Sequence, residues 1–281
     1  MTTPTVAPLA LVPCPPGSPA GDDASSPQVK WPVLEPAARH GLAGKVVRIL
    51  EPETEADPAA LLVSFLVAFG CSVGPNPHVR ADQAKHPPRL FAVIAGKTAK
   101  ARKGTSWNQT REVMHHADER WTSERTRGGL SSGEGLIQAV QTAGPGGLLV
   151  YEPEFAQVLT VARREGNTLS AVLRQAWDSG DFNVMTKTPL RATGGHVSVL
   201  AHITVEELHT ALTMVQTANG FANRFLFCCA TRSRLLPSGG RIDDATVAPL
   251  GKEVADSLNA ARQRGALHRS TAAEEMWGDM Y

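Results

Sequence analysis

Between residues 90 and 107 an apolar run halts at a glycine, and a loop of small residues and cations leads into helix-compatible sequence. The run Leu90-Phe-Ala-Val-Ile-Ala95 ends at Gly96. Lys97-Thr-Ala-Lys-Ala-Arg102 follows, and Lys103-Gly104-Thr105-Ser106 precedes Trp107. A buried strand, a cationic loop and a helix in this order form the layout of a phosphate-binding P-loop. There, backbone N–H groups and a lysine meet the polyphosphate at a helix N-terminus, and a hydroxyl can reach Mg²⁺. The spacing departs from G-x-x-x-x-G-K-[ST]. Lys103 comes seven residues after Gly96, Arg102 stands where the second glycine belongs, and Gly104 intervenes before Thr105. The alternative is a basic surface loop between a buried strand and a helix.

A second apolar run, Gly146-Gly-Leu-Leu-Val-Tyr-Glu-Pro-Glu-Phe155, ends in acid. Central strands of a parallel sheet read as continuous apolar runs, and ligands sit beyond their carboxyl ends. A carboxylate there can join the Mg²⁺ shell or orient an attacking water. Glu152 is the first acid after the run. Glu154 follows Pro153 in what reads as the first turn of the next helix, where an acid also suits the helix dipole.

Strand-like segments at about 90–95, 147–151, 196–203 and 224–230 alternate with helical stretches at about 105–121, 132–142, 153–165, 168–178, 205–215 and 244–265. That alternation predicts an α/β fold with a mainly parallel sheet flanked by helices. An earlier helix starts at Asp57-Pro58, an N-cap followed by proline at N1, and runs to a glycine stop at Gly70. It is apolar nearly all round and therefore expected to be buried. Residues 1–30 are rich in Pro, Ala, Ser and Gly and predict a disordered tail. Residues 31–240 then form the P-loop NTPase-like domain, and 241–281 a helical C-terminal segment that reads as cut within a helix. No internal repeat is present.

Composition excludes several classes. Hydrophobic residues make up 42% and charged residues 20%, so a sizeable core is available. The net charge of +1 means that any nucleic-acid contact must come from a local patch. Cys14, Cys71, Cys228 and Cys229 show no C-x-x-C pair or metal-ligand spacing, which fits a reduced, cytoplasmic setting. No apolar run reaches membrane-spanning length, and the weak apolar stretch at 6–12 lacks a basic segment before it.

Smaller constellations surround the presumed phosphate site. Gly128-Gly-Leu-Ser-Ser-Gly-Glu-Gly-Leu-Ile137 is a glycine-rich turn entering a helix. Ser131 and Glu134 have capping-box spacing there, and Glu134 is also the second-choice catalytic base. His202 ends the 196–203 strand, either as a sensor of the terminal phosphate or as edge packing. Thr204 and Glu207 form the next capping box. Arg224 starts the last strand, either as an arginine finger in cis or across a subunit boundary, or paired with a surface carboxylate. His115-His116 lacks a second ligand pair, Arg163-Arg164 and Arg232-x-Arg234 read as solvated charges, and Cys228-Cys229 reads as core.

In their order, Asp57-Pro-Ala-Ala-Leu-Leu, Gly96-Lys-Thr-Ala-Lys-Ala-Arg-Lys-Gly-Thr-Ser, Gly129-Leu-Ser-Ser-Gly-Glu-Gly-Leu-Ile, Tyr151-Glu-Pro-Glu-Phe-Ala and Asn219-Gly-Phe-Ala-Asn-Arg-Phe resemble a bacterial family of helicase-like P-loop proteins. That family is catalogued as a domain of unknown function and accompanies primase–polymerase modules in phages, plasmids and actinobacterial mobile elements. The resemblance covers about residues 50–240. It implies a RecA-like ATPase core, with Lys103 and Thr105 on the phosphates and Mg²⁺ and Glu152 or Glu154 at the acidic strand end. Arg224 is then the candidate finger or sensor. It also implies DNA as partner, a primase–polymerase type companion and a homo-oligomeric ring.

The expectation is therefore an ATP-binding and -hydrolysing protein using Mg²⁺. Gly96, Lys103, Gly104, Thr105, Ser106 and His202 would hold the nucleotide, Thr105 and Glu152 the metal, and Glu152, Glu154, Arg224 and Glu134 would do the chemistry. Two alternatives are a non-catalytic nucleotide-binding or scaffold protein, motivated by Arg102, and a small-molecule phosphotransferase, motivated by the Lys-Gly-Thr ending.

Overall fold

The computed structural model describes residues 31–97, 102–144, 146–184, 189–212 and 220–280. The expected tail at 1–30 with Cys14, the loop residues 98–101, Asn219 and the end of the helix expected at 205–215 lie outside them. The chain runs through α1 (Gly41–Leu50), α2 (Pro58–Val73), β1 (Val79–Ala81), β2 (Ala84–His86), β3 (Phe91–Gly96), α3 (Lys103–Ala117) and α4 (Glu119–Glu124). It continues with β4 (Thr126–Arg127), α5 (Gly133–Ala143), β5 (Gly147–Glu152), α6 (Phe155–Ala162), α7 (Leu169–Asp178), β6 (Phe182–Val184) and β7 (Leu190–Ala192). It closes with β8 (His196–Thr204), α8 (Val205–Ala211), β9 (Leu226–Cys229), α9 (Asp244–Arg262) and α10 (Thr271–Met280).

Five strands form one all-parallel sheet in the order β4-β5-β8-β3-β9. β1–β2 and β6–β7 are separate antiparallel hairpins. The apolar runs of β3, β5 and β8 are buried because helices cover both faces. Alternate residues split between two cores. Ala92, Ile94, Leu149 and Leu200 pack with α1, α2, α3 and α9. Phe91, Val93, Val150, Val199 and Ala201 pack with α5, α6 and α7 on the other face. The result is an α/β protein with helices on both sides of a parallel sheet.

β3 leads into α3 on the first face, whereas β8, its neighbour, leads into α8, whose Ala211 belongs to the second core. Chains leaving adjacent strand ends toward opposite faces open a crevice at the carboxyl edge, the usual place for a ligand in such sheets. That divergence positions the candidate site.

The sequence-based expectations need several corrections. α2 continues through Gly70 and stops at Gly74, whose φ of 85° suits the residue after a helix. Gly70 is internal because the Pro88 carbonyl lies 2.2 Å from where its Cβ would be, so glycine there serves close packing. The single helix expected at 105–121 is two. Asp118 leaves the helical conformation and caps α4, accepting from the Trp121 N–H at 3.0 Å. The helix expected at 153–165 is shorter, and Pro153 lies in the turn before it. β9 is a sheet edge rather than core: Leu226 and Phe227 are exposed, as is Cys229, and Cys228 is half-buried. No helix among the described residues is long and apolar enough to cross a membrane.

Two buried histidines tie the fold to pH. His196, at the start of β8, lies 3.0 Å through Nε2 from the Gly70 carbonyl, and burial pulls its pKa down to about 4. His202, near the strand's other end, is held at about 3 by burial and then by the Lys103 charge. Both imidazoles are neutral when folded, while the unfolded chain takes up protons below about pH 6.5. Stability from these groups is complete above that pH and is lost as pH falls toward 4 and then 3. Each histidine steepens the loss by up to about 1.4 kcal/mol per pH unit. Urea unfolding between pH 7 and 4 is expected to show this slope, and His202→Phe to flatten it. An unchanged slope would show that His202 titrates normally.

Candidate functional site

The site is built on the carboxyl ends of β3, β5 and β8. α3 begins at Lys103 and carries no acid in its first turn, so the positive end of its dipole favours an anion. The residue before it, Arg102, is left-handed, with φ 55° and ψ 30°. Its carbonyl accepts from the Thr105 N–H at 3.0 Å, closing the first turn. A phosphate loop ordinarily places glycine at this position, and a left-handed conformation is what glycine tolerates best. Here an arginine is held in it by Glu55, whose Oε2 accepts from Arg102 Nε at 2.5 Å.

A cavity of about 560 Å³ opens over this helix end. Lys103, Gly104 and Thr105 form one wall, and Tyr151 of β5 with Pro153 and Glu154 just beyond it form another. His202 and Thr204 of β8, with Glu207 of α8, close the far side. Trp107 stacks on Tyr151 with ring centres 5.2 Å apart, and Tyr151 meets His202 edge-on at 5.3 Å. This aromatic row seats α3 against the strands and fixes where Lys103 stands. His202 Nε2 is buried with no hydrogen-bond partner among the described residues. Its Nδ1 lies 3.5 Å from the Tyr151 hydroxyl, which burial and the nearby Glu154 charge push up to about 12.

The charges oppose one another across the hollow. Burial pulls the Lys103 pKa below the usual lysine value, while Glu207, Glu154 and Glu206 raise it. Glu207 is held below the usual carboxylate range, first by hydrogen bonds from Thr204 and more weakly by Lys103. Its capping box with Thr204 is the one expected from sequence, with Glu207 N–H donating to Thr204 Oγ1 at 3.1 Å. The same two residues also line the cavity, which the capping pattern alone did not reveal.

The structure separates the two candidate acids. Tyr151 and Glu152 point to opposite faces of β5. Glu152 is buried away from the cavity and accepts from the Leu130 N–H at 2.7 Å, holding the 128–130 turn. Burial raises its pKa, against the lowering effect of the Leu130 and Gly129 N–H groups. Glu154 lines the cavity and makes no capping bond to α6. Glu152→Ala is therefore expected to cost about 1–2 kcal/mol in urea unfolding by removing the acceptor of the half-buried Leu130 N–H that holds the 128–130 turn. Glu154→Ala is expected to leave stability within about 0.5 kcal/mol, as for other replacements away from buried networks. Equal losses in the two variants would contradict this division.

Other candidates are placed elsewhere. Ser106 is buried, donates to the Lys103 carbonyl at 2.7 Å and faces Ser64, so it does not offer its hydroxyl to the cavity. Gly96 ends β3 opposite Thr204 and is not on the cavity wall. Glu134 accepts from the Thr168 hydroxyl at 3.0 Å. The cap of its helix is Ser132, accepting from Gly135 N–H, rather than Ser131. Arg224 precedes β9 and so lies at the amino edge of a parallel sheet, away from the cavity within this chain. It forms a two-bond pair with Asp178, 2.7 and 3.1 Å long, and donates to the Gly220 carbonyl.

Lys103, Thr105, Glu154 and His202 are therefore brought together, and Glu152, Glu134, Ser106 and Arg224 are not. No protein-family model and no curated protein matches this chain.

Proposed function

We propose that this chain is a RecA-like P-loop ATPase, helicase-like in kind, acting on DNA in replication or mobile-element maintenance. The observation that carries the reading is the meeting of Lys103, Thr105 and Glu154 around one hollow at a helix N-terminus. The sheet order supports it: β8 lies between the loop strand β3 and the acid-bearing strand β5, which is compatible with a RecA-like core. In this reading the α3 amides and Lys103 hold the β- and γ-phosphates. Thr105 and Glu154 supply the hard oxygens that suit Mg²⁺, which is bound by few protein ligands together with substrate phosphates. When bound, the ion neutralises charge on the phosphoryl oxygens. Glu154 takes over from Glu152 as the group that orients water, and His202, neutral, lines the far wall of the hollow. Arg224 fits a finger only across a subunit boundary, after release from Asp178.

The test is steady-state ATP hydrolysis with Mg²⁺, with and without single-stranded DNA. Turnover raised by DNA supports the motor reading. Nucleotide binding with no turnover in either condition supports a second reading, a non-catalytic nucleotide-binding scaffold. That reading draws on Arg102 in the glycine position, pinned to Glu55.

A further inference from the structure

The phosphate-sized hollow has a neighbour. A second cavity of about 270 Å³ shares two walls with it, Arg102 and Thr105. We propose that this second cavity receives the nucleobase, adenine, of the nucleoside triphosphate whose phosphates occupy the first; this rests on the phosphate-site reading above. A base joined to its phosphates through one ribose must sit next to them, and Thr105 and Arg102 are where the two hollows meet.

The walls have the chemistry of a base slot. Leu236 and Pro237, from the loop after β9, give an apolar surface for a ring face. Arg102 offers a planar guanidinium, a group that stacks on aromatic rings. Gln109, one turn along α3 from Thr105, lines the slot with an amide that can pair in two bonds with an adenine edge.

The slot is also held in shape before any ligand arrives. Glu55 accepts from Arg102 Nε and, through Oε1, from the Leu236 N–H at 2.9 Å, so one carboxylate ties two lining residues together. Gly240 closes the loop against the 51–53 turn so tightly that a Cβ there would lie 1.8 Å from the Glu53 carbonyl oxygen. This gives Arg102 a purpose in a position where glycine would be easier on the backbone. It forms the partition between the phosphate and base compartments.

The experiment is equilibrium binding of Mg²⁺-ATP, Mg²⁺-GTP and inorganic tripolyphosphate to the full chain, to Gln109→Leu and to Leu236→Asp. The wild type is expected to bind ATP at least about tenfold more tightly than tripolyphosphate, one such factor being about 1.4 kcal/mol. Gln109→Leu is expected to erase the preference for ATP over GTP. Leu236→Asp is expected to bring ATP down toward tripolyphosphate. Tripolyphosphate affinity should stay unchanged in both variants, which also shows that they are folded. Equal affinity of the wild type for ATP and tripolyphosphate, or variants that leave the ratio intact, would overturn the base slot while leaving the phosphate site standing. A wild type that binds none of the three removes the phosphate site and the base slot with it.

Discussion

Lys103→Ala is expected to lower ATP turnover by about 100-fold or more, the scale seen when one preorganised donor to a developing negative charge is removed. The lysine begins α3 inside a hollow where three acids raise its pKa against burial, so a cation is held ready for an anion. No acid in the first helical turn competes with a phosphate for the helix N-terminus. Lys103→Arg is expected to rescue poorly, because a guanidinium is wider and presents a fixed fork instead of a compact charge. Circular dichroism of Lys103→Ala should match the wild type, since α3 is anchored by Trp107, Val113 and Met114 rather than by its first residue. Wild-type turnover in Lys103→Ala would remove this lysine from the mechanism.

Gly147→Ala is expected to destabilise the fold by about 3 kcal/mol or more, at the upper end of overpacking losses. Gly147 opens β5 where that strand passes under the end of α2, and a Cβ there would lie 1.8 Å from the Cys71 carbonyl oxygen. The neighbouring atom is helix backbone, so it cannot swing aside as a side chain would. Relief requires α2 to lift from the sheet, and α2 carries Leu61, Phe65, Val67 and Ala68 of the larger core. Against a total stability of about 5–15 kcal/mol, such a loss shifts the urea midpoint substantially. Gly265→Ala, with open space around its Cβ, is the control and should stay within about 0.5 kcal/mol. A Gly147→Ala protein as stable as the control would mean that α2 does not approach β5 this closely.

The elements legible in the sequence are those with strong local signals. β3, β5 and β8 are continuous apolar runs, and α2 begins with Asp57 accepting from Ala59 N–H at 2.9 Å, as its Asp-Pro start indicates. The Thr204–Glu207 box is likewise written in four consecutive residues. The hairpins β1–β2 and β6–β7 and the two-residue β4 were not legible, because strands this short carry no period to read. α1 is not legible in the sequence although Val46, Val47 and Leu50 form a buried stripe, since glycines at 41 and 44 weaken its helical signal. Glycine at 44 is instead required by the Arg39 carbonyl oxygen, 2.0 Å from its Cβ position.

Local sequence thus determined that a strand ends in a cationic turn and that a helix follows from about residue 105, which the structure starts two residues earlier at Lys103. It also determined that another strand ends in acids and a third in a histidine followed by a capped helix. Those are properties of neighbouring residues, set by periodicity and backbone hydrogen-bonding needs. Which of these ends face one another was decided only in three dimensions. Strand order placed β8 beside β3, the alternation along β5 turned Glu152 toward the 128–130 turn, and the fold left Glu154 at the hollow. The same geometry moved Arg224 to the opposite edge, because a residue that precedes a strand of a parallel sheet cannot share an edge with residues that follow one. Side-chain direction and strand neighbours depend on contacts between segments far apart in the chain, and no run of adjacent residues encodes them alone.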